Sequence, residues 1–282
     1  MSAGEAEPLA RVREEVMADR WRLVLSGTGD AAWNMAVDEA ILEAVIAGEQ
    51  PPTVRFYRWA QPSISLGRFQ QAEKALHLTL CRERGIQVVQ RLTGGKAVLH
   101  GHDLTLCVVA PVRSFAPAHR VTEVHLRIVQ ALARAFRSLG VETHPVSRTD
   151  MRALRGMHVN CFDHALPGDL TTPDGVKLVG GAQYRRAEVV MEQISVPFEP
   201  LPNALRGCLQ VWTEPSASPL VGISEESLIP AICTGIAQEF GIGWLSAPLS
   251  ADEFALAIHL KTRYTEGEPQ LSLSFPSATE MS

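Results

Sequence analysis

Apolar positions along this chain change period several times, and each change marks an element. From Trp21, "WRLVLSG" reads as a strand. In the next segment Met35, Val37, Ala40, Ile41 and Val45 recur roughly at helical spacing, with Asp30 as the expected N-cap and Gly48 and Pro51 ending the run. "TVRFYRW" and "SISLGRF" predict two strands, "EKALHLTLCRERG" a helix stopped by Gly85, and "IQVVQRL" and "DLTLCVVAP" two more strands. "VTEVHLRIVQALARAFRSLG" is the clearest amphipathic helix, with Thr122 expected as its cap and Gly140 closing it. "VETHPVS" is extended, and "KLVGGAQYRR" and "EVVMEQISVPFE" predict neighbouring strands. "SEESLIPAICTGIAQEFG", with Ser224 as a candidate cap, and "SADEFALAIHLKTRY" predict two closing helices.

Strands often follow one another without a helix between them. That predicts an α+β fold, with a mixed, largely antiparallel sheet and surrounding helices, rather than a βαβ array. The expected organisation is a polar lead-in over residues 1–19, a main domain over 20–215, and a small C-terminal helical extension and tail over 216–282. A monomer is expected.

Composition narrows the function classes. The 282 residues are 46% hydrophobic and 20% charged, the profile of a globular protein with a substantial core. A formal net charge of -5 lacks the basic field of non-specific nucleic-acid binders. Neither a signal-peptide core nor a membrane-spanning run is found, so no membrane association and a cytoplasmic setting are expected. The five cysteines are widely spaced and lack a C-x-x-C pair, which predicts free thiols and no zinc site.

Two segments carry candidate chemistry. In "QRLTGGKAVLHGHDLT", the pair Gly94–Gly95 permits close backbone approach to a ligand, with Arg91 before it and His100 and His102 after it. The spacing does not match a Walker phosphate loop. Two histidines without a third ligand make a weak metal site, so no metal and no cofactor are expected. The second segment is "HVNCFDHALPGDLTTPDGVKLVGGAQYRR". A free cysteine is usually a small buried hydrophobe, as Cys107 is in "LTLCVVA". Cys161 instead has the polar neighbours His158, Asn160, Asp163 and His164. Thiols have an unperturbed pKa of about 8.5, and a nearby cation favours the thiolate. Lys177 supplies that cation if the turn "PGDLTTPDG" folds its strand back beside Cys161, and Gly180–Gly181 then form a second glycine pair. Read from the residues alone, Cys161 as nucleophile and Cys161 as buried thiol both stand.

"NMAVDEAIL", "RFYRWAQPSISLGRFQ", "RLTGGKAVLHGHDLTLCVV" and "KLVGGAQYRR" occur in the order seen in the lipoate–protein ligase, octanoyltransferase and biotin–protein ligase superfamily. The resemblance covers roughly residues 20 to 215. With "NCFDH" upstream of "KLVGGAQ", the chain most resembles the Cys-dependent, LipM-like octanoyltransferase branch. That resemblance implies Cys161 as acyl-thioester nucleophile and Lys177 as the residue that favours its thiolate. It also implies that Arg91, Gly94, Gly95 and His100 lie along the acyl or pantetheine-thioester site, and the second glycine pair, Gly180–Gly181, is read from the residues as flanking the same slender substrate. The implied donor is octanoyl–acyl carrier protein and the implied acceptor a lysine of a lipoyl-domain protein, such as the glycine-cleavage H protein.

The implied reaction is covalent ping-pong transfer without ATP, because the donor thioester is already activated. Lys177 and backbone N–H groups at either glycine pair would stabilise the oxyanion. A narrow apolar channel would measure the chain, at about 0.8 kcal/mol per buried methylene. Arg82, Arg84, Arg185 and Arg186 are candidates for docking an acidic carrier. The chain departs from the pattern in having Gln90–Arg91 where two arginines are expected, and "MEQIS" (Met191–Ser195) where relatives carry a His-Gly-Ser segment. Alternatives on the same fold are an ATP-dependent lipoate ligase, a lipoyl or octanoyl amidotransferase, and a non-catalytic acyl-binding paralogue.

Overall fold

A computed structural model describes residues 20–146, 160–162, 165–166, 168–214 and 216–265. The lead-in, the tail after residue 265, and the polar neighbours His158, Asp163 and His164 lie outside the described residues. The main sheet has six strands in the order β11-β1-β2-β6-β10-β9. These are β1 (Arg20–Gly29), β2 (Thr53–Trp59), β6 (Asp103–Pro111), β9 (Gly180–Arg186), β10 (Val189–Pro197) and β11 (Gly243–Ser246). β1 pairs in parallel with β11 and β2, and the remaining three pairings are antiparallel. A smaller sheet orders β4 (Gln87–Gln90), β3 (Ser63–Leu66) and β5 (Val98–His100). A two-stranded sheet joins β7 (His144–Pro145) and β8 (Leu170–Thr171). The expected mixed, largely antiparallel architecture is the observed one.

Helices cover both faces of the main sheet. α1 (Ala31–Ile46) lies on one face and is buried almost all round, the mark of a helix enclosed by other elements. Asp30 caps it as its position predicts, accepting the Trp33 N–H at 2.7 Å. The polar residues that α1 buries are paired: Asp38 accepts from Arg55 at 2.6 Å and from the Tyr57 hydroxyl at 2.9 Å. α4 (Val121–Ser138) covers the other face with Val124, Ile128, Leu132 and Phe136.

The remaining helices differ in part from expectation. The stretch predicted as one helix up to Gly85 is two short ones, α2 (Ala72–Ala75) and α3 (Leu78–Glu83). Between them Leu76 bridges to Leu209 and the His77 N–H donates to the Cys208 carbonyl, so tertiary pairing takes the backbone that a continuous helix would use. α4 starts two residues earlier than expected, with Arg120 rather than Thr122 at the cap; Glu123 accepts the Arg120 N–H at 2.9 Å. Residues 216–265 supply α5 (Glu225–Phe240), packed on α4, the edge strand β11, and α6 (Ala251–Thr265), packed on α1. α6 is tied to β1 by Arg22, which donates to both Glu253 oxygens at 2.7 and 2.5 Å in a fully buried pair. Four-residue β11 lies between two strong helical patterns and has too few residues to show a period.

Candidate active site

β9 is the edge strand of the main sheet, and the site is built against its first residues. The segment 160–162 does not pair with the strand of Lys177. Asn160 bridges to Ala97, and the Cys161 N–H donates to the Ala97 carbonyl at 2.8 Å. Lys177 reaches the thiol by a separate hairpin. The Thr172 N–H donates to the Val176 carbonyl at 2.9 Å, Gly175 turns the chain at φ +87°, and Lys177 pairs with Thr171. These two constructions meet with Lys177 Nζ 3.8 Å from Cys161 Sγ. Gly180 makes room for the thiol: a Cβ there would lie 3.1 Å from Cys161 Sγ and 3.1 Å from the Phe162 ring.

A third member of the cluster, Asp169, comes from the segment read only as a turn. Its Oδ2 accepts from Lys177 Nζ at 2.6 Å. Burial works against charge on Lys177, but the neighbouring Cys161 and Asp169 outweigh it and hold the amine above its ordinary pKa. Lys177 is therefore an ammonium at neutral pH. Cys161 is half-buried, while Cys81, Cys107, Cys208 and Cys233 are all buried.

Cys161 opens onto a small inner cavity, lined also by Met35, Trp59, Ser65, Arg91 and His100. Gly180 and Gly181 form part of its wall, whereas Gly94 and Gly95 are not among the lining residues. The latter pair packs on Gly67, where a Cβ would lie 2.0 Å from the Gly95 carbonyl oxygen. Arg91 holds that loop from inside. Its guanidinium donates to the carbonyls of Gly94 and Lys96, both at 2.7 Å, to the Ser65 carbonyl at 2.9 Å, and to the hydroxyls of Thr93 and Ser65. Burial lowers the Arg91 pKa to about 10, with Cys161 acting in the other direction, and the group stays charged at neutral pH.

The polar residues facing the cavity satisfy one another. His100 stacks on Trp59 with ring centroids 3.8 Å apart. Its Nδ1 lies 2.8 Å from Asp103 Oδ2 and its Nε2 2.8 Å from the Ser65 hydroxyl. Thr105 and Ser195 donate to the same Asp103 oxygen at 3.0 and 2.6 Å. Burial alone would raise Asp103, but the His100 ring and the donated hydrogen bonds outweigh it and hold the carboxyl well below the usual carboxylate range. With these partners in place, the cavity offers apolar surfaces and closed hydrogen bonds to a slender apolar chain.

Lys177, Phe162 and His102 line a second, larger cleft of about 1220 Å³. His102 does not share a strand with His100. It follows β5 in a turn, and its Nδ1 is buried without a hydrogen-bond partner. Among the described residues no three histidine, cysteine or acidic side chains gather as metal ligands, and no helix is long and apolar enough to cross a membrane. Three of the candidate docking arginines are engaged by the protein itself. Arg84 donates to the carbonyls of Ala204 and Arg206, Arg185 to that of His119, and Arg186 to Glu43.

"MEQIS" also gains a structure. Along β10, Glu192 and Gln193 face opposite sides of the sheet. Gln193 donates to Asp38 at 2.7 Å and accepts from Thr93 at 2.8 Å on the cavity side. Glu192 meets His125 Nδ1 of α4 at 2.5 Å and accepts from Gln183 at 2.6 Å. A histidine thus lies next to this strand but comes from another element, which a reading of the strand alone misses.

Residues 30–242 match the family described as Lipoyl protein ligase A/B catalytic domain. The chain is similar to the octanoyltransferase LipM of Moorella thermoacetica, with 41% identity over 179 residues, covering 64% of this chain and 65% of that protein. It is also similar to the octanoyltransferase LipM of Kyrpidia tusciae, with 33% identity over 267 residues, covering 88% of this chain and 97% of that protein. Among solved structures, a lipoate-protein ligase A bound with ATP aligns at a TM-score of 0.74 and 24% identity, over 88% of this chain and 97% of that one. A bi-partite lipoate protein ligase from Thermoplasma acidophilum, studied with its E2 lipoyl domain, aligns at 0.73 and 24%, over 91% of this chain and 98% of that one. At these identities the structural likeness carries the fold.

Proposed function

The chain belongs to the Lipoyl protein ligase A/B catalytic domain family, and we propose that it is an octanoyltransferase acting through a thioester on Cys161. The observation that carries this reading is the 3.8 Å approach of Lys177 Nζ to Cys161 Sγ at the wall of a largely apolar cavity. An ammonium there stabilises the attacking thiolate and the oxyanion that follows.

The donor is octanoyl–acyl carrier protein. The Cys161 thiolate attacks its thioester carbonyl, the carrier thiol leaves, and the octanoyl chain occupies the inner cavity. A lysine of a lipoyl-domain protein, such as the glycine-cleavage H protein, then attacks the enzyme thioester to give an amide. In this scheme Arg91 acts by shaping the Gly94–Gly95 loop and Gly180 by leaving space for the thiol. The larger cleft beside Lys177 is the approach for the carrier arm.

The test is transfer from octanoyl–acyl carrier protein to apo H protein with ATP omitted, read by intact mass. Octanoylation of H protein by wild type, and its loss in Cys161→Ala, is the expected result. Modification that instead requires ATP and free lipoate or octanoate would assign the chain to the ligase chemistry of its structural neighbours.

A further inference from the structure

The second half-reaction needs a proton acceptor. When a neutral lysine amine adds to the thioester carbonyl, its nitrogen becomes positive and must lose a proton before a stable amide forms. Lys177 cannot take it, because Asp169 at 2.6 Å and Cys161 hold it as an ammonium. Arg91 is a cation too. Of the residues that line the inner cavity, His100 is the one with an imidazole nitrogen to offer.

Its surroundings fix how that base is presented. Asp103 accepts the proton on Nδ1 at 2.8 Å, so in the neutral ring Nε2 is the acceptor. The Ser65 hydroxyl lies 2.8 Å from Nε2, and Arg91 Nη1 donates to the same hydroxyl oxygen at 3.1 Å. In that tautomer Ser65 donates to His100 Nε2. Ser65, His100 and Asp103 form a nucleophile–base–acid line, recognised by geometry rather than by position in the chain. The line faces the cavity that holds Cys161.

Resting on the octanoyltransferase reading, we propose that Ser65 and His100 form a proton relay for attack by the acceptor lysine. The amine nitrogen bonds to the thioester carbonyl carbon. One of its protons passes to Ser65 Oγ as the Ser65 proton passes to His100 Nε2. The C–S bond then breaks and its electron pair stays on Cys161, beside the Lys177 ammonium. The imidazolium, stabilised by Asp103, passes its proton back through Ser65 to the leaving Cys161 sulfur. Arg91 limits charge build-up on Ser65 Oγ. The relay is assigned to transfer, where the attacking nitrogen must lose a proton.

The experiment separates the two half-reactions in Ser65→Ala. Octanoyl-enzyme is formed from octanoyl–acyl carrier protein, then chased with saturating apo H protein. Acylation of Cys161 is expected within about twofold of wild type. Transfer to the lysine is expected to fall by about 100-fold, the usual scale of general-base catalysis. The acceptor concentration at half-saturation should stay unchanged. Transfer at the wild-type rate, or an equal loss in acylation and transfer, would overturn the relay. Failure of wild type to form a hydroxylamine-sensitive adduct on Cys161 would instead remove the reading on which it rests.

Discussion

Replacing Lys177 by methionine keeps an unbranched side chain, one atom shorter, and removes its charge. The ammonium lies 3.8 Å from Cys161 Sγ, and two unit charges at that separation attract by about 4 kcal/mol at an effective dielectric of about 20. Asp169 bonds the same ammonium at 2.6 Å and neutralises part of its field at the sulfur. The net attraction removed with Lys177 is therefore smaller than that figure. The assay is alkylation by iodoacetamide near neutral pH, followed by peptide mass. Cys161 is selectively read in the native protein because the other four cysteines are buried. Lys177→Met is expected to slow its alkylation by at least about tenfold at neutral pH. The deficit should shrink in alkaline solution, where any thiol ionises. Because the substitution also leaves Asp169 without its cation, Lys177→Met/Asp169→Asn serves as the control and should remain slow. Alkylation of both variants at the wild-type rate across the pH range would refute the electrostatic role of Lys177.

Three further outcomes follow from other parts of the structure. Gly180→Ala places a methyl 3.1 Å from Cys161 Sγ, so acylation should fall by about tenfold or more, with a stability loss of about 1 to 3 kcal/mol in urea unfolding; an enzyme as fast as wild type would show that the thiol does not need this space. For His125, burial lowers its pKa but Glu192 outweighs burial, and the folded value is raised. A raised histidine adds stability that is complete below the unfolded pKa of about 6.5 and is lost as pH rises through the folded value. His125→Gln should thus destabilise more at mildly acidic than at alkaline pH, and a pH-independent difference in urea midpoints would contradict the pairing. Glu253→Gln leaves Arg22 buried without its counter-charge and should cost about 3 to 5 kcal/mol, measured as a lowered unfolding midpoint; a change under about 1 kcal/mol would mean that α6 is not anchored through this pair.

Much of the fold was legible because local pattern and tertiary demand agree. The apolar face of α4 and the β-rich composition of β6 predict those elements, and Asp30 caps α1 through its nearest backbone. Reading failed where a distant partner decides. The helix before Gly85 breaks because Leu76 and His77 pair with residues near Cys208, which no local period encodes. The proximity of Cys161 and Lys177 was readable, but the route was not. The turn brings Lys177 beside Thr171, and it is Ala97, far off in sequence, that holds Cys161. Asp169 was passed over because an aspartate amid proline, glycine and threonine reads as a turn former. Its place between the thiol and the lysine was the available signal. His100 and Asp103 stand three residues apart in the chain, but Ser65 joins them only through the β3–β5 pairing, which sets Ser65 opposite Val98.

The central claim is that Cys161 carries the acyl group, and the most direct measurement is the mass of the protein after brief incubation with octanoyl–acyl carrier protein and no acceptor. Wild type should gain one octanoyl group, located to the peptide containing Cys161 and removed by hydroxylamine. Cys161→Ala should gain none. An adduct on another residue, or an equal adduct in Cys161→Ala, would contradict the account.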